Sequence, residues 1–461
     1  MISFFVTARG LRVALMAAAL GMGGVSLTAA EANLPGPLPE EMFPQLKAIL
    51  DAAVSQSPQM LARNIDLAQM EGNYYVARSQ LLPNVATSVS YNVSDASVST
   101  NTDVTSRSSG LFYSAGINQS LFRWGTAKAG ADAGKIQLHI SKKNYREAYR
   151  MLVLTLRSQF LYLVVKKMAL RNASFDRDQM ASTLALQEEN LRNGRISQAE
   201  ILPARLRLEE LSLYAERAAE DLANSKRVFM RTAGLKDLGD DVIPDDIPVP
   251  PFELAKVNPL LQKFLGVDWE EDLIVQANRD WIKVAELNYK VAKYRLYPMF
   301  GFGASISQSN STNASENSVS QVGVLSKYIG VTASWSVFDG FATRGAKMSA
   351  LANKRYYERQ LQNHVDTLLD QARSLERQVN FAYRAMNLAA TRKSIADSAA
   401  QNAQDELARG LTSENAVQAA LGTQYQSQLV LLAQKTDFLA RWSEFVSTIG
   451  QDPLVKALPA K

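Results

Sequence analysis

A chain of 461 residues without one cysteine excludes disulfide scaffolding, thiol catalysis, thiolate metal sites and a lipid-modified N-terminal cysteine. Fifty Lys and Arg against 45 Asp and Glu leave a formal charge of +5, and no basic run is interleaved with aromatics, so nucleic acid is a poor partner. Beyond the N-terminus no uninterrupted apolar run reaches the ~20 residues of a spanning helix, which excludes a helical inner-membrane protein.

In chain order, residues 1–32 come first. Arg9 and Arg12 precede a short apolar stretch, and Ala30-Glu31-Ala32 closes the segment with small residues at a cleavage-site spacing. This grammar predicts a secretory signal over 1–32. A membrane anchor is the alternative, but Gly21, Gly23 and Gly24 break an apolar run already too short to span.

Everything after about residue 40 is organised by a repeat. Leu82-Pro83-Asn84 answers to Tyr297-Pro298-Met299, the prolines lying 215 positions apart. Gln119-Ser120-Leu121-Phe122-Arg123-Trp124-Gly125 answers to Trp335-Ser336-Val337-Phe338-Asp339-Gly340-Phe341, and Leu191-Arg192-Asn193-Gly194 answers to Leu407-Ala408-Arg409-Gly410, both at an offset of 216. The expected divisions are a first repeat over 33–240, a connector over 241–268, a second repeat over 269–450 and a tail over 451–461. Pro244, Pro248, Pro250 and Pro251 keep the connector out of helix.

Each half carries two segments of period two. Val85, Thr87, Val89, Tyr91 and Val93 alternate with Ala86, Ser88, Ser90 and Asn92, and Leu111, Tyr113, Ala115 and Ile117 with Ser114, Gly116 and Asn118. Phe300, Phe302, Ala304 and Ile306 alternate with Gly301, Gly303 and Ser305, and Ile329, Val331, Ala333, Trp335 and Val337 with Gly330, Thr332 and Ser334. Strands are expected near 82–94, 110–123, 298–308 and 322–338. Each alternation lasts about ten residues, the length of a tilted membrane strand. The same alternation suits a soluble sandwich with one wet face. Residues 94–109 and 307–321, rich in Ser, Thr and Asn, are expected as polar loops on the outer side of a barrel. Four strands enclose nothing, whereas three chains would supply twelve.

Two proline-free stretches, from about 126 to 192 and 343 to 409, are dominated by good helix formers. Helices of ~65 residues would span ~100 Å, far more than a bilayer core. Their apolar residues spread round more than one stripe, as in staves that pack on two neighbours; a rod-like coiled coil would explain the helices but not the strands.

At this point the chain resembles the TolC family of outer-membrane channels. The resemblance covers the whole chain beyond the signal segment, from about Leu46 to Gly450. It rests on the duplicated plan, on the strand-to-helix junctions at Leu121-Phe122-Arg123-Trp124-Gly125 and Val337-Phe338-Asp339-Gly340, and on the hairpin tips at 194–202 and 410–417. It implies a mixed α/β membrane protein: a homotrimer with a twelve-stranded antiparallel β-barrel continuous with a twelve-helix periplasmic tunnel. It also implies an outer-membrane location and docking to a periplasmic adaptor that belongs to an inner-membrane pump or, in type I secretion, an ABC exporter. The docking tips would be Asn193, Gly194, Arg195, Ile196 and Ser197 with Arg409, Gly410, Leu411, Thr412 and Ser413.

The tips also make sense physically. Gly194 and Gly410 stand where a long helix must reverse, which favours the left-handed conformation. Ser197 and Glu200 have capping-box spacing, and Ser413 precedes Glu414 at a second helix start. The gate departs from the best-known pattern, because the positions where some members carry aspartates hold Ala416 and Ala419. A tip arginine of those members aligns with Thr412. The constriction is therefore expected to use Glu200, Glu414 and Asn415 against Arg195 and Arg409.

No enzyme is indicated. His139 and His364 lie in predicted helix without an H-E-x-x-H pattern, and no phosphate-binding loop is present. No cofactor is expected. A passive export conduit and a structural or adhesive spacer built on long helices are the two readings left open.

Overall fold

A computed structural model describes residues 34–99, 103–315 and 318–458; the expected signal segment lies outside them. Three helices, α1 (Pro39–Met42), α2 (Pro44–Gln56) and α3 (Pro58–Ser79), each open on a proline, whose missing N–H is no loss in a first turn. They lead into β1 (Asn84–Ser99) and β2 (Asp103–Phe122), then α4 (Thr126–Arg192) and α5 (Gln198–Ala233). After the connector with α6 (Val257–Gly266), the plan recurs as α7 (Leu273–Lys293), β3 (Met299–Ser315), β4 (Ser318–Ser334), α8 (Ala342–Ala408) and α9 (Glu414–Thr448). The short α10 (Pro453–Ala457) follows.

The strands form one antiparallel sheet in the order β1-β2-β3-β4. Register decides what alternation alone could not. Val85 faces Ile117, Ile117 faces Ala304 and Ala304 faces Ile329, so the four apolar sets fall on one side of the sheet. Ala86, Gly116, Ser305 and Tyr328 line up on the other.

Two expectations need correction. Residues 94–109 and 307–321 are not long loops, because pairing continues through Ser99↔Asp103 and Ser315↔Ser318. Runs of Ser, Thr and Asn carry no period-two contrast, yet their backbones complete the ladder as well as any. The apolar alternation through Val337 also overshoots, since β4 ends at Ser334 and the Trp335 indole donates to Leu296 O at 2.9 Å instead.

The helices resolve into four staves. α3 and α5 meet end to end, where the Ser57 hydroxyl donates to Thr232 O at 2.8 Å, and together flank α4. α7 and α9 flank its other side, and α8 packs on those two. The stave order α3/α5, α4, α7/α9, α8 repeats the strand order above it. None of the described helices is both long and apolar enough to cross a membrane.

Three clamps hold the middle of the staves. The fully buried Arg157 of α4 donates to Glu40 on α1 and to Asp452 before α10, at 2.8 Å and 2.6 Å. Burial opposes its charge, but the two carboxylates outweigh that and raise its pKa. Burial beside Asp51 and Asp452 pushes the neighbouring Tyr149 phenol up to about 12. The connector is pinned by Lys167, which reaches Ile243 O at 2.7 Å, and by Lys435, which reaches Ile247 O. Phe252 then inserts among Tyr383, Phe438 and Trp442.

Candidate functional site

Two places in the fold are candidate sites: the hairpin tips and the junctions between strands and long helices. At the first tip, Gly194 takes φ +70° and the Arg195 N–H reaches back to Asn190 O at 2.9 Å. At the second, Gly410 takes φ +73° and the Leu411 N–H reaches Glu406 O at 2.9 Å. Both are the same helix-ending motif, with the left-handed residue at the position where a β-carbon is penalised.

The returning helices start differently. Ser197 and Glu200 form a capping box, the Ser197 N–H donating to the Glu200 carboxylate at 2.6 Å. The Ser197 backbone and hydroxyl hydrogen bonds hold the Glu200 pKa below the usual carboxylate range. At the second tip the Ser413 hydroxyl accepts from the Ala416 N–H, and the position matching Glu200 is Ala416 itself. Asn193, Arg195, Arg409, Glu414, Asn415 and Ala419 are exposed; Ile196 and Thr412 are half-buried. Leu411 is 73% exposed, an apolar side chain standing in solvent at the turn. Among the described residues, Arg195, Arg409, Glu200 and Glu414 make no ion pair within the chain.

The junctions were marked by sequence, but their geometry was not. Trp124 and Gly125 take φ +53° and +74°, and Gly340 and Phe341 take +62° and +66°. The Thr126 N–H closes the first turn on Arg123 O at 2.9 Å and the Ala342 N–H closes the second on Asp339 O at 3.2 Å. Both are type I′ turns, with the one glycine at opposite positions. A side chain in that conformation costs roughly 1–2 kcal/mol. Trp124 offsets it by donating its indole N–H to Pro298 O at 2.8 Å and stacking 6.5 Å from Tyr294. Phe122, Tyr297 and Phe300 complete an aromatic cluster at the foot of the apolar sheet face.

Sequence reasoning missed the Arg157 clamp, although its signal was visible: one arginine inside the apolar stretch 151–165. Its partners lie 117 and 295 positions away, beyond any local pattern. His364 contacts the Asp272 carboxylate at 3.4 Å, and that carboxylate caps α7. Among the described residues no group of His, Asp and Glu is placed to hold a metal ion.

A duplicated strand-and-hairpin plan with one apolar sheet face and ~100 Å helices is the plan of an outer-membrane channel of mixed strand and helix. The chain belongs to the outer membrane efflux protein family, whose profile matches residues 49–229 and again 271–451. Its fold is shared with VceC, an outer membrane protein of Vibrio cholerae, at 16% identity and a TM-score of 0.62, covering 89% of this chain and 97% of that one. It is shared likewise with the Campylobacter jejuni CmeC outer membrane channel at 14% identity and a TM-score of 0.66, covering 88% and 86%. The open state of the Neisseria gonorrhoeae MtrE outer membrane channel matches at 14% identity and a TM-score of 0.60, covering 88% and 89%. No curated protein matches the chain in sequence. The family is one of channels, and the chain is not an enzyme.

Proposed function

We propose that three copies of the chain close edge to edge into a passive exit duct of the outer membrane. The hairpin tips dock to a periplasmic adaptor and, through it, to an inner-membrane pump or ABC exporter. One observation carries the reading: both layers stop at the same two sides. The sheet ends in the unpaired edges of β1 and β4, and the staves end in α3/α5 and α8 directly below. Those end staves also hold most of the exposed apolar helix residues, including Leu206 and Leu213 on α5 and Phe381, Leu388 and Ile395 on α8. An open strand edge and an apolar stave on each side form a heterologous interface, which closes into a ring. Four strands need that closure, and three copies give twelve strands and twelve staves.

In such a ring the tips converge on the threefold axis, so each charge meets its own copies. Glu200 and Glu414 repel across the axis unless Arg195 and Arg409 of neighbouring hairpins counter them. Asn415, Ala416 and Ala419 complete the constriction. Each exposed pair is weak, but several symmetric copies suffice to bias a gate that an adaptor can still open. Single-channel recording in planar bilayers tests both levels. A conducting trimer is expected, with higher conductance in Arg195→Ala/Arg409→Ala; a protein that never conducts is a spacer, and wild-type conductance in the double variant assigns closure to packing.

A further inference from the structure

We propose that the strand-to-helix junctions form a cationic collar that binds the phosphate headgroups of anionic phospholipids in the leaflet facing the helices. The inference rests on the reading above only in taking the apolar sheet face as the lipid face. The charge is concentrated in a narrow zone. Take the twelve residues adjoining the helix-side end of each strand: 72–83, 123–134, 287–298 and 335–346. Arg78 belongs to the first, Arg123 and Lys128 to the second, Lys290, Lys293 and Arg295 to the third and Arg344 to the fourth. Asp132 and Asp339 are the acids in the zone. Seven cations against two acids leave a surplus of five, equal to the formal charge of the entire chain, +5.

All seven cations are exposed, whereas the two acids are half-buried. Asp339 is already engaged, accepting from the Thr343 N–H at 2.9 Å and from its hydroxyl at 2.6 Å. Among the described residues none of the seven lies within ion-pair distance of a carboxylate, although Arg295 is near enough to Asp339 to help hold that carboxyl below its usual range, after the Thr343 hydroxyl. Elsewhere along the staves cations are commonly paired, as Lys143 is with Asp280 and Lys354 with Glu286.

The collar adjoins the aromatic cluster on the correct side of the sheet. Phe122 pairs, across a β-bulge, with Phe300, which shares the apolar face with Phe302, Ala304 and Ile306. Trp124 touches Phe122 and stacks on Tyr294, so that cluster marks the lower margin of the apolar face. Lys293 lies over the Tyr294 ring, its Nζ 5.4 Å from the centroid. Lys290 precedes Tyr294 by one helical turn and shares its face; its Nζ would stand 3.4 Å from a β-carbon on Gly125. A belt of Trp and Tyr at headgroup depth with Lys and Arg just outside it matches an acyl chain above and a phosphate below. Unpaired cations within a Debye length of an anionic leaflet are drawn to it, by on the order of fivefold in local lipid partition for each one at low salt.

The protein carries its own probes for the test. Trp124 and Trp335 sit at the membrane margin, whereas Trp269, Trp281 and Trp442 lie on the staves and connector, beyond the reach of lipid chains. The full-length trimer is reconstituted in phosphatidylethanolamine–phosphatidylglycerol vesicles, with brominated acyl chains on one lipid at a time to quench those indoles. Brominated phosphatidylglycerol is expected to quench several-fold more than brominated phosphatidylethanolamine at equal mole fraction. Arg123→Gln/Lys290→Gln/Lys293→Gln/Arg295→Gln should bring the ratio close to one while still inserting. Lys256→Gln/Lys263→Gln, which removes exposed cations from the connector, should leave it unchanged. Equal quenching in the wild type overturns the collar but leaves the membrane reading intact, as does equal loss in the connector variant. No quenching by either lipid overturns both.

Discussion

α4 and α8 are the same helix by ancestry and length, 67 residues each, and they live in different surroundings. Twenty residues of α4 are buried and eleven of α8, six of these being alanines. Matched positions tell the same story. Leu152 and Leu368 are both buried, and so are Leu163 and Val379. The buried Leu161 instead answers to the exposed Arg377, and the fully buried Arg157 to Arg373, whose side chain is 49% exposed beside Asp370. α4 has a neighbour on each flank, and α8 has one flank covered within the chain. Duplication preserved length and turn geometry, because those are local. Burial diverged, because it depends on which stave stands alongside.

The comparison breaks most sharply at the matched arginines. Arg157→Ala strands two buried carboxylates and is expected to cost about 3–5 kcal/mol, whereas Arg373→Ala should cost about 0–1 kcal/mol. Thermal unfolding in detergent compares them, and equal shifts would remove the clamp from the account. Next comes the uncovered flank of α8. Ile395 stands 14 residues before Arg409 and Leu213 stands 16 after Ser197, so both lie ~20–25 Å from the tips. In a chain free of cysteine, Leu213→Cys/Ile395→Cys with a short bismaleimide should give dimer and trimer bands. Intramolecular products alone would place α8 against something other than α5 of a second copy.

Smaller effects separate the tips. Gly194→Val or Gly410→Val forces a β-branched residue into φ near +70° and should destabilise its hairpin by about 1–2 kcal/mol. Export should fall while the sheet and barrel assembly survive; undiminished export would show that the turns are free of any docking role. The smallest effect is protonation. The Glu200 pKa is lowered in the folded chain, so its contribution is present above the unfolded carboxylate range and is lost as pH falls through the folded value. Protection from amide exchange at 197–201, after division by the intrinsic exchange rate at each pH, should therefore fall at acidic pH, as it should in Glu200→Gln at neutral pH. Protection at 413–417 should lose less, since Ala416 stands at the capping-box position there and only Glu414 remains in the first turn.

Much was legible before any coordinates because it is local. The repeat, the four strands, the proline-free helices and the tip glycines all follow from short-range rules: period two, helix propensity and the cost of a left-handed β-carbon. The type I′ turns at 124–125 and 340–341 were less readable, since each pairs one glycine with an aromatic that local sterics disfavour. Trp124 holds its position only because Tyr294 and Pro298, some 170 residues on, receive it.

The sequence by itself determined the elements, their duplication and the apolar face of each strand, because each is set within a few residues. Only the tertiary structure decided that the four apolar faces coincide, that the Ser- and Thr-rich segments complete the ladder and that Arg157 has carboxylate partners. Register and packing join residues a hundred or more positions apart. A buried arginine and an exposed one look alike in a sequence until their neighbours are known.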